Sequence, residues 1–298
     1  MKQVDHEFGG HHTELKLSVI GSYLNAYTKA LRKIFKQLWY IDAFAGTGSR
    51  VVKHRALPPT LFGDPATPER IERLRGSAQI AIDTKPPFDA LIFIEKKKSF
   101  AAALDKLKAQ HPSRNIVVIQ GDANEAIQKI IRETSWSTKR AVLFLDPYGM
   151  DVDWKTLKAI ARTKAIDVWY LFSLSGLYRQ ATVKLSKVDS SKRAALNRIL
   201  GSSTWEDDLY PLRPTMRTLM GDLREIPRIR TKNVHALEAY MKVRLETIFG
   251  AVLEPLRLPR NKGAQRYSLF LCISSNNPKA IEVATRIGNH ILKAGNSS

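Results

Sequence analysis

Cysteine is almost absent from this sequence. Cys272 is the only one among 298 residues, and it lies within an apolar run. A single cysteine excludes an internal disulfide and a metal site built from clustered thiolates. We therefore expect a protein of a reducing cytoplasm, and we assign no metal-binding residues.

Long hydrophobic runs are also missing. No segment approaches the ~18 consecutive apolar residues of a membrane-spanning helix, and no lipidation motif is present. The first residues are polar and include several histidines, unlike a secretory signal. The sequence thus predicts a cytoplasmic protein without a membrane partner.

Acidic residues are scarce relative to basic ones. The chain has 48 Lys and Arg against 28 Asp and Glu, which gives a net charge of +20 and a pI of about 10.0. Because each basic residue that meets a phosphate releases condensed counter-ions, this excess predicts a nucleic-acid partner, RNA or DNA. The alternative is a solvated basic surface, or adaptation to unusual ionic conditions.

Apolar runs that suit strands alternate with helical patterns over much of the chain. The predicted strands lie within residues 39–48 and at 90–95, 115–120, 141–146 and 166–172. This alternation predicts an α/β fold with a doubly wound, mostly parallel sheet. Two β runs at about 251–258 and 266–274 and a helix at 280–292 would close the sheet.

The organisation expected is one domain over residues 1–298. A leading helix region at 1–37 precedes the first strand, a basic and irregular insert occupies 176–232, and 233–298 closes the core. The insert is a candidate substrate-binding region. Several aromatic and basic residues in or near it could form a substrate track: Tyr170, Tyr178, Arg179, Trp205, Tyr210, Arg213 and Arg217.

Residues 39–48 (WYIDAFAGTG) join an apolar strand to an acid and a glycine turn, which is typical of a nucleotide-like cofactor site. A phosphate-binding loop would need a lysine after the glycines, and a nicotinamide site would need a third glycine and a nearer acid. S-adenosylmethionine (SAM) fits better. We expect it to contact a lysine of the leading helix, the glycine turn and three strand ends: Lys16, Asp42, Phe44, Ala45, Gly46, Gly48, Glu95, Asp122, Ala123 and Asp146.

The segment after the glycine turn reads as a loop over residues 49–62. A helix is then predicted to begin at Asp64 and Pro65, an N-cap acid followed by a proline, and to continue to Ile82. A loop this long beside a ligand site favours a functional role.

Asp146-Pro147-Tyr148-Gly149 ends the fourth predicted strand. A carboxylate and a neighbouring carbonyl can hold an exocyclic amino group, and an aromatic ring offers a flat surface to a base taken out of its stack. Asp146, Pro147 and Tyr148 are therefore the candidate catalytic residues. The alternative is a turn that only stops the strand, with Tyr148 packed on the sheet edge.

Several motifs together resemble the three-Cys-motif partner (TcmP) family: DAFAGTG, DPATPE, FIEKKKSF, GDAN, FLDPYG and YSLFLCISSNNPKAIEVA. The resemblance implies a Rossmann-like class I methyltransferase fold, with a mostly parallel seven-stranded sheet and an antiparallel C-terminal strand. It also implies a partner with a three-cysteine, radical-SAM-like motif. The Asp-Pro-Tyr-Gly element is also similar to that of tRNA guanine-N2 methyltransferases, and it differs from the Asp-Pro-Pro-Tyr of adenine-N6 enzymes.

Two functions follow from these observations. The first is a SAM-dependent methyltransferase that acts on an exocyclic amino group of a nucleic-acid base. The second is a protein that keeps this fold without that catalysis and binds nucleic acid, a three-Cys-motif protein, or both.

Overall fold

The computed structural model describes residues 11–54, 70–212, 216–217, 223–224, 226–259 and 265–297. The strands, in chain order, are β1 (Gln37–Asp42), β2 (Ser49–His54), β3 (Arg70–Arg75), β4 (Ala90–Glu95), β5 (Ile116–Gln120), β6 (Lys139–Leu145), β7 (Ile166–Ser173), β8 (Met216–Arg217), β9 (Leu223–Arg224), β10 (Ala251–Val252), β11 (Leu256–Leu258) and β12 (Tyr267–Ile273).

The helices are also numbered in chain order. They are α1 (His11–Leu31), α2 (Ser77–Asp83), α3 (Lys98–Ala109), α4 (Ala123–Glu133), α5 (Trp154–Arg162), α6 (Leu174–Gln180), α7 (Ser190–Leu200), α8 (Trp205–Leu209), α9 (Val234–Glu246) and α10 (Pro278–Ser297).

The main sheet has the order β10-β12-β7-β6-β1-β4-β5, and β11 also pairs with β12. Strands β5, β4, β1, β6 and β7 are parallel, whereas β12 runs antiparallel to its neighbours. This is the predicted Rossmann-like α/β architecture, a mostly parallel sheet with an antiparallel C-terminal strand. The predicted sixth strand is divided into β10 and β11, so the sheet has eight strands rather than seven.

Both faces of the sheet are covered, because its central strands are almost continuously apolar. All six residues of β4 are buried, as expected for a parallel strand between two helical layers. Buried residues of α4, α5, α7 and α9 pack on one face, and those of α1, α2, α3 and α10 pack on the other. Alternation along β1 places Ile41 in the first layer and Tyr40 in the second.

The prediction for the segment after the glycine turn was wrong. Strand β2 lies in the predicted loop, and β3 lies in the predicted helix. The two strands pair antiparallel over six positions. Apolar residues are too few here for their spacing to distinguish a helix from a strand. The helix begins only after Gly76, whose N–H donates to the Gly48 carbonyl at 3.2 Å. The helix start predicted at Asp64 and Pro65 lies outside the described residues.

The predicted insert contains more regular structure than expected. Helices α6, α7 and α8 occupy much of it, and their apolar residues join the core on the α5 side of the sheet. Helix α7 is capped by the Asp189 side chain and ends at Gly201 with a φ of 74°, a left-handed conformation suited to glycine. The insert therefore packs against the fold as a helical layer.

A buried carboxylate ends β1 and holds the turn that follows. Asp42 is fully buried, and its carboxylate accepts hydrogen bonds from the Phe44 N–H at 3.2 Å and the Tyr40 hydroxyl at 3.4 Å. Burial raises the pKa of Asp42 to about 7, although the hydrogen bonds from Ser77 and Phe44 oppose this shift. Asp42 thus bears a proton in the folded state at pH values where the unfolded chain has lost it.

Asp42→Asn should change how stability depends on pH. Between about pH 4 and pH 7, the wild-type folded state retains a proton that the unfolded state releases, so its free energy of unfolding falls as pH rises. Asparagine removes this dependence. Urea unfolding should therefore show wild type losing on the order of 1–3 kcal/mol relative to the variant from pH 5 to pH 7.5.

The matched control for this measurement is Asp167→Asn. Burial raises the pKa of Asp167 only to about 6, so the corresponding loss should end about one pH unit lower. A difference between wild type and Asp42→Asn that stays constant over this pH range would contradict the assignment.

Candidate active site

The glycine turn after β1 forms the floor of a cleft at the carboxyl edge of the sheet. Gly46 and Gly48 have φ values of 60° and 75°, a left-handed conformation that glycine adopts without strain. A Cβ on Gly46 would meet no atom within 4 Å, whereas one on Gly48 would lie 2.7 Å from Leu107. Gly46 therefore serves the conformation of the turn, and Gly48 also permits close packing on α3.

Glu95, at the end of β4, connects this turn to the next strand. Its side chain is buried, and its two oxygens accept hydrogen bonds from the Gly46 N–H at 3.0 Å and the Lys97 N–H at 2.8 Å. Each carboxylate oxygen has a further lone pair. Glu95 can thus shape the turn and still accept hydrogen bonds from a ligand hydroxyl.

The first cavity, of about 240 Å³, lies over the glycine turn. Its wall joins α1 to two strand ends and includes Lys16, Phe44, Asp146, Pro147 and Tyr148. The Lys16 ammonium lies 2.5 Å from Asp146 Oδ2, and the two side chains are 10% and 27% exposed. An ion pair between residues 130 positions apart in the sequence therefore joins two parts of the wall of this cavity.

A second cavity, of about 870 Å³, extends along the ends of β4 and β5. Glu95, Asp122, Ala123, Phe44 and Tyr148 contribute to its wall. Asp122 also caps α4, since its side chain accepts from the Asn124 N–H at 2.9 Å.

The pKa of Asp122 is lower than its ordinary value. Partial burial by itself would raise this pKa, but hydrogen bonds from the Asn124 and Glu125 N–H groups and the nearby charge of Lys96 outweigh burial. Asp122 is therefore a stable anion at the edge of the second cavity.

Tyr148 belongs to the walls of the first two cavities and of a third, outer cavity of about 970 Å³. Its side chain is 59% exposed. Partial burial and the negative charges of Glu95, Asp146 and Asp42 raise the pKa of its hydroxyl. Tyr148 is thus neutral at physiological pH, and its ring stands where the three cavities meet.

The outer cavity offers a second exposed ring and several cations. Tyr178 is 40% exposed, and the Arg230 guanidinium lies 4.3 Å from the centroid of its ring. Arg230 is itself buried and donates to the carbonyls of Ala181 and Lys232. Arg179 and other basic residues also contribute to the wall, namely Arg198 and Arg266.

Other members of the expected substrate track lie elsewhere. Tyr170, Trp205 and Tyr210 are fully buried in the core and cannot contact a substrate. Tyr170 lies on β7, and Trp205 and Tyr210 belong to the same buried apolar cluster, a placement that a pattern of aromatic and basic residues does not reveal. The side chains of Arg213 and Arg217 lie outside the described residues.

The structure brings nearly all of the predicted site residues to the first two cavities. Asp42 differs, because its carboxylate is fully buried and forms no part of the walls of these three cavities. Thr13, Ser77 and Tyr267 contribute to the walls but were not predicted. Ser77 comes shortly after β2 and β3, whose structure was predicted wrongly. Tyr267 reaches the cavity because it pairs with Ser173 on β7, and no local sequence pattern predicts that pairing.

Two further findings concern other kinds of site. None of the helices in the described parts of the chain combines the length and apolar character needed to cross a membrane. The described residues also contain no group of three or more His, Cys, Asp or Glu side chains that could hold a metal ion.

The chain resembles several solved structures at low sequence identity. A DUF519 protein from Legionella pneumophila is 14% identical, with 93% of this chain and 91% of that chain covered and a TM-score of 0.49. A SAM-dependent methyltransferase from Clostridium acetobutylicum is 10% identical, with coverages of 85% and 91% and a TM-score of 0.36. TYW2 from M. jannaschii, in complex with AdoMet, is 10% identical, with coverages of 89% and 76% and a TM-score of 0.34.

These similarities are too weak to indicate a ligand or a substrate for this chain. No protein-family model matches the sequence, and no curated protein matches it either. Membership of the three-Cys-motif partner family therefore stays a prediction from the motifs.

Proposed function

We propose that this protein is a SAM-dependent methyltransferase that acts on an exocyclic amino group of a nucleic-acid base. One observation carries the proposal: Tyr148 is shared by the cavity over the glycine turn, the cavity beside Glu95 and Asp122, and the outer cavity. A cofactor in the first two and a base in the third would then meet at the Asp146-Pro147-Tyr148 segment.

The first two cavities suit the two ends of SAM. Lys16 offers a cation to the carboxylate of its methionine part, and the Gly46 turn approaches without side-chain interference. Glu95 lies at the end of β4, the parallel neighbour of β1, where a carboxylate can accept hydrogen bonds from the ribose hydroxyls. Asp122 and Ala123, in the wall of the second cavity, can contact the adenine. When bound, SAM supplies an electrophilic methyl group on a sulfonium.

Asp146 and the Pro147 carbonyl are the acceptors for the amino group of the base. Holding both amino hydrogens aims the nitrogen lone pair away from the acceptors, and the carboxylate stabilises the positive charge that nitrogen gains during transfer. The Tyr148 ring can stack on the base, which must come from a single strand or be turned out of a duplex. The proton released from nitrogen leaves to Asp146 or to water.

Nucleic acid is the substrate class that the charge favours. The net charge of +20 provides a long-range attraction for a polyanion, and arginines line the outer cavity next to the exposed rings of Tyr148 and Tyr178. Cations for phosphates beside rings for bases are the usual elements of single-strand binding.

Asp146→Ala should abolish methyl transfer without weakening SAM binding. Incubation of the protein with SAM and bulk RNA or DNA, followed by mass spectrometry of the nucleosides, should reveal a methylated base. The variant should reduce its yield by about 100-fold or more, because the amino group loses its acceptor. Asp105→Ala, on the exposed face of α3, is the control and should behave as wild type.

Calorimetric titration with SAM completes this experiment. Loss of SAM binding and of transfer together in Asp146→Ala would contradict the assigned role of Asp146. Tight SAM binding by wild type without a methylated product from either nucleic acid would favour the protein that keeps the fold without this catalysis.

Tyr148→Ala should weaken binding of the nucleic-acid substrate, whereas Tyr148→Phe should preserve it. The ring provides stacking worth roughly 1–3 kcal/mol per base, so alanine should raise KM by about 5- to 150-fold. Steady-state methyl transfer to the substrate identified above measures this effect. A KM for Tyr148→Ala equal to that of wild type would show that the base does not stack on this ring.

A further inference from the structure

Lys16 is a nearly buried cation that is paired to one end of the proposed catalytic segment. Its ammonium lies 2.5 Å from Asp146 Oδ2 and 5.8 Å from the centroid of the Phe144 ring. A charge with so little exposure is stable only beside a counter-ion, because desolvation of an unpaired ammonium is costly. Lys16 therefore needs one carboxylate at all times.

The same contact occupies Asp146. In the ion pair, Oδ2 accepts from Lys16, whose charge neutralises that of the carboxylate, so Asp146 is a weaker acceptor for a substrate amino group and stabilises less positive charge on its nitrogen. Asp146 is also close enough to the buried Asp42 carboxyl to influence its pKa. Release of Asp146 therefore requires that Lys16 receive another anion in its place.

We infer that Lys16 exchanges Asp146 for the carboxylate of SAM, so that Asp146 presents an uncompensated negative charge to the substrate only when the cofactor is bound. The inference rests on the proposed function. Lys16 can reach both Asp146 and a cofactor bound over the glycine turn, because Lys16, Asp146 and this turn line one cavity of about 240 Å³. The number of ion pairs to Lys16 stays the same before and after the exchange, so the buried ammonium is never left alone.

This exchange predicts competition between Asp146 and the cofactor carboxylate for Lys16. Removal of the Asp146 charge should then strengthen SAM binding, although Asp146 belongs to the same cavity. A direct contact between Asp146 and the ammonium of SAM predicts the opposite, because that contact would be lost. The sign of the change therefore distinguishes the two arrangements.

The experiment compares SAM with decarboxylated SAM by calorimetry on wild type, Asp146→Asn, Lys16→Met and the double variant. Decarboxylated SAM keeps the ammonium and the sulfonium but lacks the carboxylate. Asp146→Asn should bind SAM about 5-fold or more tightly than wild type, in the usual range of coupling between two sites. It should bind decarboxylated SAM no more tightly than wild type.

Lys16→Met should weaken SAM binding without affecting decarboxylated SAM, and it should abolish the gain from Asp146→Asn in the double variant. Circular dichroism establishes whether each variant is folded. If Asp146→Asn does not fold, the comparison of Lys16→Met with wild type still tests whether Lys16 binds the SAM carboxylate. Equal or weaker SAM binding by folded Asp146→Asn overturns the inference alone. Absence of SAM binding by wild type overturns the proposed function together with it.

Discussion

The hydrogen-bonded position of β1 between β4 and β6 is the constraint on which the candidate site depends. In this register Ile41 lies opposite Ile92 on one side and Leu143 on the other. The chain continues from β1 to β4 and β5 on one side, and then returns to β6 and β7 on the other. The connections after neighbouring strands therefore diverge, and a crevice opens at the carboxyl edge between them.

Three carboxyl groups gather near that crevice, and each is stabilised differently. Burial raises the pKa of Asp42 to about 7, so this group retains its proton in weakly acidic solution; Glu95 accepts hydrogen bonds from two backbone N–H groups, and Asp146 is paired with Lys16. Like charges so close together would otherwise repel one another in a poorly solvated space. Protonation, backbone hydrogen bonds and an ion pair thus allow the three carboxyl groups to lie close together.

The insert shows how burial separates structural aromatic residues from exposed ones. Trp205 and Tyr210 pack edge to face at 6.2 Å and are fully buried, and Trp205 Nε1 donates to Asn197 Oδ1 at 2.7 Å, which joins α8 to α7. Tyr178, on α6, instead presents part of its ring to the outer cavity, with Arg230 held against it. Residues of similar type that lie close together in the sequence therefore differ in exposure, and only some of them can contact a ligand.

The sequence by itself determined the parallel core and the carboxyl ends of its strands, because apolar runs and the acids that follow them are local signals. Glu95, Asp122 and Asp146 could be placed at one edge from strand order alone. Only the tertiary structure decided that residues 70–75 form a strand, that Asp42 is buried beneath the crevice, and that Lys16 pairs with Asp146. Each of these depends on a partner distant in the sequence, and periodicity, which describes neighbours along the chain, contains no information about such partners.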